Sequence, residues 1–144
     1  MLAHIRTAAV SGVEPFMIGV EVDLASGLPA FTIVGLPQGA VREGRDRVAA
    51  ALRNAGFELP PRRITVNLAP ADVRKDGTAL DLPIAIGLLT AAGHIPQAAL
   101  DGHLLLGELG LDGCLRPVAG VLPIAVACCD ASVEALVVPA QNAD

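Results

Sequence analysis

The chain has 144 residues, 53% of them hydrophobic. That is enough for one domain, which at this size buries roughly 70% of its unfolded surface. With 2% aromatic residues and neither Trp nor Tyr, the core must be built from Ala, Val, Leu and Ile, and little is left for stacking single-stranded bases. A net charge of −5 argues against strong nucleic-acid binding by the segment as a whole, because phosphate contacts dominate such affinity.

Residues 2–10 and 16–24 read as strands, the second alternating apolar and polar toward its end. Ser26-Gly27-Leu28-Pro29 is a turn and Ala30-Phe31-Thr32-Ile33-Val34 a third strand, so an antiparallel meander is expected to open the domain. Gly35-Leu36-Pro37 stops it. An amphipathic helix follows over 38–54, with Val41, Val48, Ala49 and Leu52 on one face. On its other side Arg42/Asp46 and Glu43/Arg47 have the spacing of exposed ion pairs. Gly56 ends that helix and Pro60-Pro61 prevents its continuation.

Residues 62–68 form the next strand and 80–92 an apolar helix stopped by Gly93. A strand over 103–109, a Gly110–Gly113 hairpin turn and Cys114-Leu115-Arg116 come next. A second buried helix over 120–129 and a strand over 134–138 complete the pattern. The order β-β-β-α-β-α-β-β-α-β implies an α+β domain: one mixed sheet with helices packed on it. The chain ends at Gln141-Asn142-Ala143-Asp144, just past a strand, which points to the front of a longer protein.

The longest stretch free of Asp, Glu, Lys and Arg is 82–100, and its apolar part closes near Ala92. About 11 helical residues reach roughly 16 Å, against the ~30 Å of a hydrocarbon core, so a buried helix is expected rather than a membrane span. No signal peptide is visible, since Arg6 and Glu14 interrupt the N-terminal apolar residues. Cys114, Cys128 and Cys129 lack any C-x-x-C spacing. They read as reduced thiols, small buried hydrophobes in a cytoplasmic protein. His4, His94 and His103 share no metal-ligand spacing, and no metal site is expected.

Two regions carry candidate chemistry. The loop Asp72-Val73-Arg74-Lys75-Asp76-Gly77-Thr78 lies where the second helix begins. Helix starts expose unpaired N–H groups and a partial positive charge, so Arg74, Lys75, Gly77 and Thr78 are candidates to hold an anion or a partner. The alternative is a solvated loop with Thr78 capping the helix. The first helix is rich in arginine, and Arg42, Arg45 and Arg53 are candidates to contact DNA or a neighbouring subunit. The alternative there is an ion-paired surface face.

Several longer motifs resemble one family. Pro29-Ala30-Phe31-Thr32-Ile33-Val34-Gly35-Leu36-Pro37 is similar to its signature GLPxFTIVGLP. Val41-Arg42-Glu43 with Arg45-Asp46-Arg47-Val48 is similar to AVRExRxRV, and Arg62 through Asp72 to RRITVNLAPAD. Asp81-Leu82-Pro83-Ile84-Ala85-Ile86-Gly87, Gly107-Glu108-Leu109, Asp112-Gly113 and Leu115-Arg116-Pro117-Val118 extend the likeness over essentially the whole chain. The family is the magnesium-chelatase-like AAA+ ATPases of the YifB/ComM type.

The resemblance implies a single domain over 1–144 with the ribosomal protein S5 domain 2-like fold, shared with the Lon peptidase domain. An AAA+ module would lie downstream. It also implies a hexameric ATP-dependent motor, of which the ComM type drives DNA branch migration during natural transformation. Partners would be the chain's own AAA+ module and neighbouring subunits, with DNA reached through the whole protein. ATP and Mg would belong to the downstream module, because no G-x-x-x-x-G-K-[S/T] loop occurs in these residues. No cofactor is expected in the segment itself.

Lon-type peptidases carry Lys-Asp-Gly-Pro-Ser-Ala-Gly with Ser as nucleophile. Here Lys75-Asp76-Gly77 is kept, Thr78-Ala79-Leu80 follows, and Ala79 stands at the nucleophile position. The family's base follows P-[I/V]-G-G-L-K, and Pro117-Val118-Ala119-Gly120-Val121-Leu122 puts Leu122 there. Covalent catalysis needs both groups. The expectation is therefore no catalytic residue and a non-catalytic accessory domain of the motor. The alternative is a degenerate Lon-type hydrolase acting through the Lys75-Asp76-Gly77-Thr78 loop.

Overall fold

The computed structural model describes residues 2–129 and 132–143; Met1 and Asp144, the ends of the expected domain, lie outside the described residues. Strands β1 (Leu2–Ser11) and β2 (Glu14–Ala25) form a long antiparallel hairpin. Two residues close it, and Gly12 has the positive φ of 65° that such turns require. Alternation in β2 buries Ile18, Val20, Val22 and Leu24. β3 (Ala30–Val34), helix α1 (Gly39–Asn54) and β4 (Arg63–Ala69) follow. They make a parallel crossover with Phe31 beside Ile64 and Ile33 beside Val66.

The opening is therefore not a meander. β4 inserts antiparallel between β2 and β3, pairing Val20 with Leu68 and Val22 with Val66. The burial of the two strands gives the reason. Ile64, Val66 and Leu68 are fully buried in β4, whereas Ile33 is the sole buried residue of β3. The richer strand takes the interior place and the poorer one the edge.

Helix α2 (Asp81–Ala91) buries nine of its eleven residues between α1 and the sheet. Gly87 permits this approach: a Cβ there would lie 2.6 Å from Val22 Cγ2 and 3.3 Å from Ile5 Cγ1. Gly87→Ala is predicted to cost about 1–3 kcal/mol through overpacking. A shift in the urea midpoint measures it, and an unchanged midpoint would refute the tight contact. Helix α1 buries Val41, Gly44, Val48, Ala51 and Leu52, so Ala51 rather than Ala49 completes its apolar stripe.

The strand expected over 103–109 is broken in two. β5 (His103–Leu105) joins the main sheet beside β1. β6 (Glu108–Leu109) leaves it to pair with β7 (Leu115–Arg116) in a separate ribbon. Leu106 N–H still donates to Val137 O, the last bond of the β5–β8 ladder, and the next residue departs, Gly107 N–H donating to Ala79 O. With β8 (Ala135–Val137) at the far edge, the six-stranded order is β3-β4-β2-β1-β5-β8, a mixed sheet carrying packed helices.

Helix α3 (Val121–Cys128) is not a buried helix. Only Ile124 and Cys128 are buried, against Ala8, Leu104 and Leu106 in a small second cluster. Leu122 and Val126 are 75% and 62% exposed. Of the three cysteines only Cys128 is buried, which pushes its thiol pKa up, while Cys114 and Cys129 are exposed. Among the described residues no helix is long and apolar enough to cross a membrane.

Candidate functional site

The loop between β4 and α2 is folded around Lys75, which the sequence leaves looking like a surface charge. Its side chain is fully buried. The amine donates to Gly35 O at 2.7 Å and to Pro70 O. Its backbone is equally engaged: Lys75 N–H donates to Leu36 O, and Lys75 O accepts from Gln38 N–H. Lys75 thus sews the segment leaving β3 to the segment leaving β4. Burial lowers the pKa of this amine, and the charge of Asp72 opposes the shift.

The residues that follow use up the start of α2. Gly77 N–H is bonded by the neighbouring Asp76 carboxylate at 2.8 Å. Asp81 N–H donates to Thr78 O, Leu82 N–H to Gly107 O and Ile84 N–H to Leu80 O, while Pro83 has none to offer. The helix is started by backbone bonds, with no side-chain cap, so Thr78 is not the capping residue the sequence implies.

Of the four loop candidates, Arg74 and Gly77 are exposed, Thr78 is half-buried, and Lys75 is buried with its amine directed to Gly35 and Pro70. They do not converge. Thr78 and Gly77 line a cleft of about 360 Å³, together with Asp76 and Ala79. Its other walls are Ala8, Ala9 and Val10 of β1 and the turn Val118–Gly120. The Asn142 side-chain amide fixes that turn by bonding both backbone groups of Val118 at 2.9 Å. Arg74 lies in an adjoining cleft of about 280 Å³ with Gln38, Phe16 and Asp76. Among the described residues Asp76 is the only ionisable side chain lining the larger cleft. The Thr78 hydroxyl has no hydrogen-bond partner among the described residues. Leu122 lies elsewhere, in an exposed hollow with Val13, Pro15 and Val126. Among the described residues no group of three or more His, Cys, Asp or Glu could hold a metal.

The arginines of α1 divide. Arg42, Arg45 and Arg53 are exposed, and none forms an ion pair among the described residues. Arg42 and Arg53 are eleven residues apart, about three turns, and so share a face. Arg45 leans over β3, its Nη1 donating to Phe31 O at 3.3 Å and its Nε to Arg42 O at 3.2 Å. The proposed Arg42–Asp46 pair does not form.

Arg47 turns inward, a feature the exposed-pair reading missed. It makes a two-pronged bond to Asp81, Nε to Oδ2 at 2.7 Å and Nη2 to Oδ1 at 3.0 Å, and also reaches Ala40 O. Glu43 is a looser neighbour at 3.7 Å. Asp81 further accepts from Leu109 N–H at 3.1 Å, so one carboxylate joins α1, α2 and β6. Asp81 holds the Arg47 guanidinium above its ordinary pKa. Burial raises the Asp81 pKa, and the bonds from Arg47 and Leu109 offset part of that rise. The sequence does carry a signal here: Asp81 is the one charge in an otherwise apolar helix and needs a partner.

Residues 20–142 match the family described as subunit ChlI of Mg-chelatase. The chain is 46% identical over 143 residues to competence protein ComM of Haemophilus influenzae, covering 99% of this chain and 28% of that protein. It is 49% identical over 121 residues to YifB of Escherichia coli, covering 84% of this chain and 24% of that protein. A fainter likeness, 26% over 98 residues, links it to Lon protease 2 of Bacillus subtilis, covering 67% of this chain and 17% of the protease. The chain thus spans about a quarter of the length of the ComM and YifB relatives. The motifs around β3, α1 and the Lys75 loop sit inside the matched region, and the chain belongs to the magnesium-chelatase ChlI family, with ComM and YifB among its relatives.

Proposed function

We propose that this segment is a non-catalytic N-terminal accessory domain of a hexameric, cytoplasmic AAA+ ATPase. In this reading the domain has the S5 domain 2-like, Lon-peptidase-like fold. The ATP- and Mg-dependent chemistry belongs to a module downstream of 1–144, and the parent protein processes DNA, by branch migration in natural transformation. The arginine face of α1 serves assembly or contact with DNA or a partner. The observation that carries the reading is the content of the cleft: Ala79 stands in its wall, Leu122 is on the outer face of α3, and the Lys75 amine is committed to Gly35 and Pro70. The lack of a hydroxyl at Ala79 and of an amine at Leu122, where the resemblance implies nucleophile and base, supports a retained scaffold rather than a hydrolase. The name of the ComM relative and the greater length of both relatives support the assignment to a competence-linked motor.

The testing experiment deletes residues 1–144 from the full-length protein and measures ATPase rate, ring assembly and branch migration separately. Retained ATPase activity with loss of assembly or of DNA coupling is the expected result. Loss of ATPase activity in an otherwise intact ring would overturn the accessory role.

The free Thr78 hydroxyl in the cleft favours one competing reading, a degenerate hydrolase acting through 75–78. Incubation with unfolded casein is predicted to give no cleavage, and Thr78→Ala to change nothing. Cleavage that disappears in Thr78→Ala would establish the hydrolase.

A further inference from the structure

The edge of the sheet at β3 is open, and what flanks it specifies an occupant. β3 is the terminal strand and pairs only with β4. In a parallel ladder, alternate residues point both backbone groups to the same side. Ala30 N–H donates to Arg62 O, toward β4, so Ala30, Thr32 and Val34 face inward along the ladder. Phe31 and Ile33 therefore face outward, and Phe31 O indeed meets Arg45 from that side. An open edge is commonly blunted by proline or by charges within the strand. β3 has neither, and among the described residues the Arg45 guanidinium bonds its outer side at Phe31 O.

Three features define the flanks. Arg42 and Arg45 border a small cleft of about 150 Å³ with Thr32 and Ile33. Their guanidiniums have no carboxylate partner among the described residues; Arg45 is held by neutral carbonyls alone. Leu28, Val34 and Leu36 leave apolar side chains exposed around the strand, at 87%, 43% and 46%.

From this we propose that the β3 edge is a strand-addition site for an extended acidic peptide segment. The incoming backbone would pair with Phe31 and Ile33. Its alternate side chains, on the α1 side, would be carboxylates: Arg45 would exchange Phe31 O for one of them and Arg42 would take another. A second copy of this chain fits poorly, because β3-to-β3 pairing would bring the two sets of Arg42 and Arg45 together. A nucleic-acid backbone lacks the alternating N–H and C=O groups the edge demands. The proposal rests on the α1 arginine face being a contact surface. Measured on the 144-residue chain alone, it can fail while the deletion experiment succeeds, so the two failures are distinguishable.

The test uses a fluorescent octapeptide with Asp at alternate positions and Val or Thr between them, followed by anisotropy. The expected result is saturable binding that weakens at least tenfold in Arg42→Glu/Arg45→Glu and falls with salt. N-methylation of the alternate amides that face β3 should abolish binding, and methylation of the other set should spare it. Amide exchange should slow at Phe31 and Ile33 on binding. Both arginines are exposed, and an unchanged melting temperature confirms that the variant folds. Equal loss with both methylated sets, absence of binding at millimolar peptide, or arginine-dependent binding of a single-stranded oligonucleotide with none of the peptide would each overturn the proposal.

Discussion

Arg47→Met is expected to remove about 3–5 kcal/mol of stability at neutral pH, because it leaves the Asp81 carboxylate buried without its counter-charge. That is a large share of the roughly 5–15 kcal/mol that holds a domain together. Arg47→Met/Asp81→Asn is expected to recover most of the loss: Asn still accepts from Leu109 N–H and carries no charge to strand. The pH dependence has a definite sign. Burial raises the Asp81 pKa in the folded chain above its ordinary 3.8, so the folded state binds more protons in the window between the two values. The stabilisation linked to that proton is fully present below the unfolded value and is lost as pH rises through the folded one. Removing Arg47 widens the window upward. The penalty of Arg47→Met should therefore shrink as pH is lowered from 7 toward 4. Urea denaturation across that range measures it, and a penalty that grows at acidic pH would refute the buried-carboxylate account. Gly44 belongs to the same feature, since a Cβ there would lie 2.8 Å from Asp81 Oδ1.

Gly35→Ala is expected to be at least as damaging, at about 3 kcal/mol or more, from overpacking and backbone strain together. Gly35 has a φ of 102°, and a Cβ would lie 2.2 Å from Leu68 O, a backbone atom of an interior strand that cannot step aside. Movement of Gly35 would also pull its carbonyl from Lys75 and loosen the junction that starts α1. Gly39→Ala provides the control. It is the first residue of α1, nothing lies within 4 Å of the added Cβ, and the change is expected to be neutral or to stabilise by up to about 1 kcal/mol. Thermal melts of both variants decide the matter, and equal melting temperatures would show that the 33–38 turn has more slack than its geometry indicates.

The elements of this domain were legible where local physics dictates them. Alternation in 16–24, the strand at 62–68, the amphipathic stripe of 38–54 and the stops at Gly56 and Gly93 depend on neighbours within a few residues, and the structure realises them. The order of strands was not legible. Nothing local in 30–34 reveals that β4 will stand between it and β2, because that choice depends on which strand has more apolar surface to bury. The strand over 103–109 misled for a similar reason: it breaks where Gly107 N–H turns from the sheet to Ala79 O, remote in sequence.

The candidate sites divide along the same line. The absence of a hydroxyl at Ala79 and of an amine at Leu122 is a matter of residue identity, and the sequence by itself determined it. The placing of charges belonged to the tertiary structure. Lys75 and Arg47 read as surface cations at spacings that suit solvent or an anion. Only the packed chain turns one toward two buried carbonyls and the other toward Asp81, while leaving Arg42 and Arg45 at an open strand edge. The physical reason is that a long side chain reaches several ångströms in any direction. Its partner is chosen by which groups burial would otherwise strand, and that is known only when distant segments have come together.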